Sequence, residues 1–297
     1  MAPSNKALQP VSELKPQSDV KPPGAGQLVL GIFSGVGLLD MAFQETGFCV
    51  CAAPELITGG DIRRFHSVPG RINGVIGGPP CQGFSSLNRH WRNPEHPSVI
   101  NSRQMLTEAC RIIDETQPEW WLIENVLDVP DVRIDGYPPP QRMIISDWEC
   151  GGVQSRSRCI QFGHRLGFIL RPQRVNTLTR KQNGKMASLT TKARSQYQFY
   201  PDHCRIQGLE TPLDLPGWTV SAKKKAIGNG VPLPMGRALA NAVANAAPRE
   251  PNIDCACDCG RLVSVLAKTA TPTCRKRISD WNGVRRPFCD LEGFHDE

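Results

Sequence analysis

The chain has 297 residues, 39% of them hydrophobic, and a formal net charge of +7 at neutral pH. That length holds one large domain with appendages. No apolar run approaches the roughly 18 residues needed to cross a bilayer, and no apolar signal core opens the sequence, which argues against a membrane protein and an exported disulfide scaffold. The 12 cysteines are expected as free thiols in a reducing cytoplasm.

Residues 1–26 are rich in Pro, Ser, Lys and Gln, the composition of a disordered segment. Leu28-Val29-Leu30-Gly31-Ile32-Phe33 reads as a buried strand, with a glycine turn, Ser34-Gly35-Val36-Gly37, behind it. Leu38, Leu39, Met41, Ala42 and Phe43 give a helical face that Gly47 ends. Residues 48–52 form a second strand and Val75-Ile76 a short later one. Residues 105–116 read as a helix stopped by Pro118, followed by the buried strand Trp120-Trp121-Leu122-Ile123. Strands alternating with helices predict a doubly wound α/β fold on a mostly parallel sheet. Further on, 143–145 and 159–162 are expected as strands, 200–208 as a short capped helix, 236–247 as an Ala-rich helix and 248–251 as a hinge.

The positive charge is concentrated. Residues 151–200 contain no Asp or Glu, but hold Arg156, Arg158, Arg165, Arg171, Arg174, Arg180, Lys181, Lys185, Lys192 and Arg194. A single-sign block of this kind suits a phosphate backbone; its bland counterpart is a solvated basic loop.

The segment Gly77-Gly78-Pro79-Pro80-Cys81-Gln82-Gly83-Phe84-Ser85 carries the strongest chemical signal. It sets a cysteine at the carboxyl end of a strand, where open α/β sheets place their chemistry. An isolated intracellular cysteine is usually a small buried hydrophobe. The Pro-Pro turn instead presents the thiol, which becomes a nucleophile once its pKa is lowered. Glu124-Asn125-Val126 follows another apolar strand, so Glu124 is shielded from water near the same edge. Gln154, Arg156 and Arg158 alternate and share one face if extended. Phe33-Ser34-Gly35-Val36-Gly37 lets a ligand approach a helix N-terminus. Glu55 suits ribose hydroxyls, and Asp61 an adenine amino group; either acid alone is more often a surface carboxylate.

Taken in order, these motifs resemble the C5-cytosine DNA methyltransferases, with further matches at Cys204-Arg205-Ile206-Gln207-Gly208 and Gly228-Asn229-Gly230-Val231-Pro232. The resemblance covers about 28–247. It implies a Rossmann-like class I methyltransferase core with a mixed sheet, and S-adenosylmethionine as methyl donor. Cys81 would attack C6 of a flipped cytosine, Glu124 hold N3 and the exocyclic amine, Arg158 hold O2, and Arg156 brace the loop and phosphate. Phe33, Gly35, Gly37, Glu55, Leu56, Asp61, Ile62, Pro80, Met105, Asn229 and Val231 would line the cofactor pocket. Gln82 and Ser85, with Arg165, Arg171, Arg174, Arg180, Lys181, Lys185, Lys192 and Arg194, would meet DNA. The expected organisation is a lead-in at 1–26, a catalytic core at 27–162, a short basic recognition region at 163–196, a return segment at 197–250 and a Cys-rich tail at 251–297.

Three departures from the family pattern stand out. Gly31 occupies a place where the family usually has Asp. Only five residues, Leu56 to Gly60, separate Glu55 from Asp61, where a whole helix is usual, and the recognition region is short. The tail offers a compensation. Cys255, Cys257, Cys259 and Cys274 suit one tetrahedral zinc, with Cys289 and His295 as spare ligands. The expected partners are double-stranded DNA and a cognate restriction endonuclease, for a monomer of the bacterial nucleoid with no membrane association. An RNA cytosine-C5 methyltransferase, a catalytically silent DNA-binding relative and an ordinary thiol enzyme are the competing readings; no matching His motif accompanies Cys81 for the last.

Overall fold

The computed structural model of the chain describes residues 24–175, residues 199–250 and Asp254. Within them, one sheet contains β1 (Leu28–Ile32), β2 (Cys49–Ala52), β3 (Gly74–Gly77), β4 (Trp120–Asn125), β5 (Gln141–Ser146) and β6 (Ser157–His164). The spatial order is β2-β1-β3-β4-β6-β5. The first four strands pair in parallel, whereas β6 runs antiparallel to both β4 and β5. The helices are α1 (Leu38–Glu45), α2 (Pro97–Thr116), α3 (Tyr200–Ile206), α4 (Val220–Asn229) and α5 (Leu233–Ala244).

Parallel strands need crossover connections, and α1 and α2 supply them from β1 to β2 and from β3 to β4. Each strand residue points to one face or the other, which divides the core in two. Leu39 and Phe43 of α1 and Met235 and Leu239 of α5 pack on Val29, Ile76, Trp120 and Leu122. On the opposite face, Leu106, Ala109, Ile112 and Ile113 of α2 pack on Leu30, Ile32, Val75, Trp121 and Ile123. The two tryptophans of β4 fit because each neighbouring strand yields space. A Cβ at Gly74 would stand 2.2 Å from Trp120, and one at Gly163 would stand 2.3 Å from Trp121.

Between β2 and β3 the crossover helix is missing, as the short Glu55–Asp61 spacing predicts. Two 3-10 turns, Leu56–Thr58 and Ile62–Arg64, take its place. The consequence is local: Cys49, Cys51 and Ala52 of β2 are exposed while β3 and β4 are buried throughout.

Several element boundaries differ from the sequence reading. α2 begins at Pro97, not at residue 105: His96 caps it by accepting from the Ser98 N–H, and Pro97 fits the first turn, so a polar stretch is helical. α4 has no counterpart in that reading, because its exposed polar residues lack a clear apolar face; the Thr219 side chain caps it through the Ala222 N–H. α5 runs from Leu233 to Ala244, whereas Ala247 pairs with Ile169. Leu170 is fully buried, so the start of the expected recognition region belongs to the core. The rest of that region, the lead-in before residue 24 and the cysteine tail lie outside the described residues.

Candidate active site

Cys81 sits just past the end of β3, on a turn tied down from both sides. The Asn125 Nδ2 donates to Pro79 O (3.0 Å), and the Gly83 N–H donates to Ser102 Oγ of α2 (2.9 Å). Gly83 is pressed so closely on α2 that a Cβ would lie 2.7 Å from the Val99 Cα. Asn125 thus holds the cysteine turn, a role its place beside Glu124 signals only in retrospect.

Glu124, buried near the end of β4, is ion-paired with Arg158: Nε to Oε1 is 2.7 Å. Arg158 Nη1 also donates to Ser157 O. Arg156 donates through Nη2 to Asn229 O (3.1 Å) and through Nη1 to Gly228 O, clamping the end of α4 to the start of β6. Burial first, then the charge of Arg158, pushes Arg156 down to about 9, which leaves it cationic at neutral pH.

Cys81 feels all three charged neighbours. Burial pushes its thiol up, Glu124 pushes the same way, and Arg158 and Arg156 oppose them. The net shift is upward, so the lowered thiol pKa anticipated for a nucleophile is not the state of the free protein. Gln154 parts from the arginines. Its buried side chain donates to Ile206 O (3.0 Å) and Gln207 Oε1 (2.9 Å), joining the loop to α3 rather than facing the thiol.

The residues expected around the cofactor divide into open and closed groups. Gly35 and Gly37 adopt left-handed φ values of 58° and 79°, and so does Phe33 at 54°. The Gly35 N–H donates to Glu55 Oε1 (3.2 Å), which brings that acid to the glycine turn. Burial pushes Glu55 up, against the bond from Gly35. Leu56 is 84% exposed beside it. Asp61 accepts from Arg63 Nε and from the Arg63 N–H, and those bonds hold it down at about 2. Asn229 is exposed and Pro80 half-buried, whereas Ile62, Met105 and Val231 are packed into the core. Gly31 also has an account. A Cβ there would lie 2.8 Å from both Asp40 carboxylate oxygens, so a buried acid from α1 fills the space that a side chain at 31 would need.

Of the residues expected at DNA, Gln82 is exposed, and the Ser85 Oγ accepts from the Leu87 N–H. The described arginines of the basic block are engaged within the chain. Arg165 stacks on Tyr137 and donates to Pro118 O, Arg171 pairs with buried Asp254 at 2.6 Å, and Arg174 pairs with Glu149 at 2.6 Å. A guanidinium held in such a pair has fewer donors to offer a phosphate, so these three serve the fold first. Arg180, Lys181, Lys185, Lys192 and Arg194 lie outside the described residues, as do Cys255, Cys257, Cys259 and Cys274. Among the described residues no group of three or more His, Cys, Asp or Glu side chains is placed to hold a metal.

Residues 57–133 match the family model described as C-5 cytosine-specific DNA methylase. The chain is 32% identical over 117 residues to the type II methyltransferase M.NgoPII of Neisseria gonorrhoeae, covering 33% of each protein. It is 36% identical over 92 residues to the DNA (cytosine-5)-methyltransferase CMT2 of Arabidopsis thaliana, covering 31% of this chain and 7% of that one. With M.XorII of Xanthomonas oryzae pv. oryzae it shares 26% identity over 181 residues, 48% of this chain and 41% of the relative. The chain thus matches well under half the length of each of these relatives. Among solved structures, the Entamoeba histolytica methyltransferase EhMeth superposes with a TM-score of 0.51 at 13% identity, over 74% of this chain and 98% of that one. A prophage-encoded E. coli protein described as a DNA modification methyltransferase gives 0.50 at 16% identity, over 74% and 99%. These two likenesses establish the methyltransferase fold. Residues 57–133, with Cys81 and Glu124 among them, are similar to the family of C-5 cytosine-specific DNA methylases.

Proposed function

We propose that the protein is a DNA (cytosine-5-)-methyltransferase that acts on a cytosine flipped out of double-stranded DNA, through a covalent bond from Cys81 to C6. The observation that carries this reading is the Arg158–Glu124 ion pair standing in the electrostatic neighbourhood of the Cys81 thiol. A nucleophile, a proton-sharing acid and two cations meet there at the carboxyl ends of β3 and β4.

The chemistry follows from these groups. Attack of the Cys81 Sγ on C6 breaks the C5–C6 double bond and moves its electrons toward C5. Glu124 shares a proton with N3 as negative charge builds on the ring, which lowers the barrier. Arg158 holds the Glu124 carboxylate toward the ring, and Arg156 fixes the β6 start against α4. After methylation, transfer of the C5 proton to a water molecule restores the double bond and expels the Cys81 thiolate. A stacked base is out of reach of all four groups, so the cytosine must leave the duplex.

The other end of the sheet fits S-adenosylmethionine. Glu55 is held at the glycine turn by Gly35, and the uncovered side chain of Leu56 stands beside it as an apolar platform. Glu55 would take the ribose, Leu56 the adenine face and Asp61 the adenine amine, with Phe33, Gly37 and Asn229 around them. When bound, this group supplies an electrophilic methyl.

The type II methyltransferases among the relatives support a restriction endonuclease as functional partner. The tail cysteines Cys255, Cys257, Cys259 and Cys274 form a separate zinc proposal resting on spacing; less than about a tenth of an equivalent of zinc in the purified full chain would reject it. Bisulfite sequencing of DNA from a host expressing the chain tests the main reading. Protection of cytosines in a recurring sequence is expected, and an unmodified genome would reject it.

A further inference from the structure

The loop joining β5 to β6 is built around a buried carboxylate that the reaction above does not use. Asp147 is fully buried. Its N–H donates to Arg156 O (2.9 Å), and its carbonyl accepts from the N–H groups of Cys150 (3.0 Å) and Gly152 (2.9 Å). Its Oδ2 accepts from the Gln154 N–H (3.0 Å), while Oδ1 has no hydrogen-bond partner. The turn closes on it so tightly that a Cβ at Gly152 would lie 2.1 Å from either carboxylate oxygen. Two of these bonds close the turn, and two, to Arg156 O and from the Gln154 N–H, tie it to the segment that carries Arg156 and Arg158.

We propose that Asp147 is a positioning residue for that segment: its carboxylate fixes the turn that delivers Arg156 and Arg158 to Cys81 and Glu124, and adduct formation slows when the carboxylate takes up a proton. The inference rests on the methyltransferase reading.

The surroundings of Asp147 define what its ionisation acts on. Burial pushes it up to about 6, against the Gln154 N–H, the charge of Arg156 and the Val153 N–H. Arg156 and Cys150 are the ionisable groups it influences in return. The other charges on the packed elements are committed elsewhere: Glu149 to Arg174, Arg158 to Glu124, Arg142 of β5 to Asp131, and Arg237 of α5 to Glu45. The linkage has a definite sign. With its pKa raised in the fold, Asp147 binds its proton more tightly folded than unfolded, so its contribution to stability falls as pH rises from about 4 to about 6. The ionised form therefore works against the fold at neutral pH. A group retained at a cost to stability is what a positioning role predicts.

The test is Asp147→Asn in the full chain, with an acceptor kept for the Gln154 N–H but no charge. The readouts are covalent adduct formation with a duplex carrying 5-fluorocytosine, followed from pH 5 to 8.5, the melting temperature over the same range, and binding of S-adenosylhomocysteine. Ionisation of the Cys81 thiol alone makes the adduct rate climb across this range, and in the wild type protonation of Asp147 should add a further fall of about tenfold per pH unit below about 6. The Asn variant should bind S-adenosylhomocysteine normally, form adduct more slowly at pH 7.5, keep the slope set by the thiol, and lose both the added acidic limb and the matching slope in melting temperature. A variant profile superimposable on the wild type would overturn the inference alone. Absence of wild-type adduct at every pH would remove the methyltransferase reading and this inference with it. Should the Asn variant fail to fold, Gly152→Ala probes the same turn by pushing a methyl group onto the carboxylate. It should slow adduct formation and move the acidic limb to higher pH, and an unchanged rate and limb would overturn the inference.

Discussion

The carboxyl ends of β3 and β4 and the carboxyl end of β2 belong to one sheet but are finished differently. At the first, Cys81, Glu124, Arg156 and Arg158 are held by ties to Pro79 O, Ser102 Oγ, Gly228 O and one another, mostly out of water. At the second, Glu55 and Asp61 are joined only by one short 3-10 turn, and Leu56 and Ile57 are 84% and 44% exposed. On the proposed reading the first is the chemical end, built before any substrate arrives as electrostatic preorganisation requires. The second would be the cofactor end, with apolar and acidic surface left for the ligand to cover. Mutations at the first should therefore strike the rate, and mutations at the second the affinity.

Cys81→Ser should have the largest effect. The hydroxyl keeps the shape but supplies no accessible anion near neutral pH, and nucleophilic catalysis is worth orders of magnitude. Turnover should fall by more than about tenfold, to background, with DNA binding nearly intact. Only the wild type should form a stable adduct with 5-fluorocytosine DNA, since fluorine at C5 cannot depart as the proton does. A Ser variant retaining more than about a tenth of wild-type turnover would break the assignment.

Glu124→Gln comes next, with a single-turnover rate lower by about a hundredfold, because Gln cannot share a proton with N3. It should also move the thiol. Burial is the larger cause of the raised Cys81 pKa and the Glu124 charge the second, so removing that charge shifts the Cys81 titration to lower pH. Iodoacetamide modification of Cys81 against pH gives the direction: the variant should react at lower pH than wild type while methylating more slowly. Weakened S-adenosylhomocysteine binding with an unchanged single-turnover rate would move Glu124 to the cofactor side of the comparison.

Asp61→Ala should do the reverse. Calorimetry should show S-adenosylhomocysteine affinity lower by about tenfold, the worth of one or two charge-assisted hydrogen bonds, and the rate at saturating cofactor should hold. The wild-type carboxylate is shared with Arg63, so the cofactor competes for an acceptor already in use. An undiminished affinity would show that Arg63 keeps Asp61 to itself.

Much of this is legible in the chain because the chemistry is concentrated in short, rigid segments. Val75-Ile76 followed by Pro-Pro-Cys, and Trp120–Ile123 followed by Glu-Asn, mark strand ends by apolar runs and turn residues alone. The absent helix after Glu55 is likewise readable from spacing. α4 and the first two turns of α2 are not, since their stability comes from caps at Thr219 and His96 and from tertiary neighbours rather than from an apolar stripe. Alternation misplaces Gln154 for a related reason. It fixes a common face only in a regular strand, and β6 begins at Ser157, so Gln154 belongs to the loop and turns toward Gln207. Asp147 leaves no periodic trace, because a hub is defined by the backbone folded around it.

The smallest expected effect concerns the basic block, where the same comparison can be made within one stretch of sequence. Arg171 is spent on Asp254 and Arg165 on Tyr137 and Pro118, whereas Lys181, Lys185 and Lys192 lie outside the described residues. If those lysines meet the duplex, neutralising the three together should flatten the dependence of log affinity on log salt by roughly 0.9 for each phosphate left without its lysine. Arg171→Gln should leave that slope unchanged and instead lower the melting temperature, because it strands a buried Asp254 carboxylate without its guanidinium. Salt titrations of duplex binding by fluorescence anisotropy separate the two. A slope that drops for Arg171→Gln and stays put for the triple lysine variant would invert the assignment, placing the DNA on the folded face that carries the Arg171–Asp254 pair.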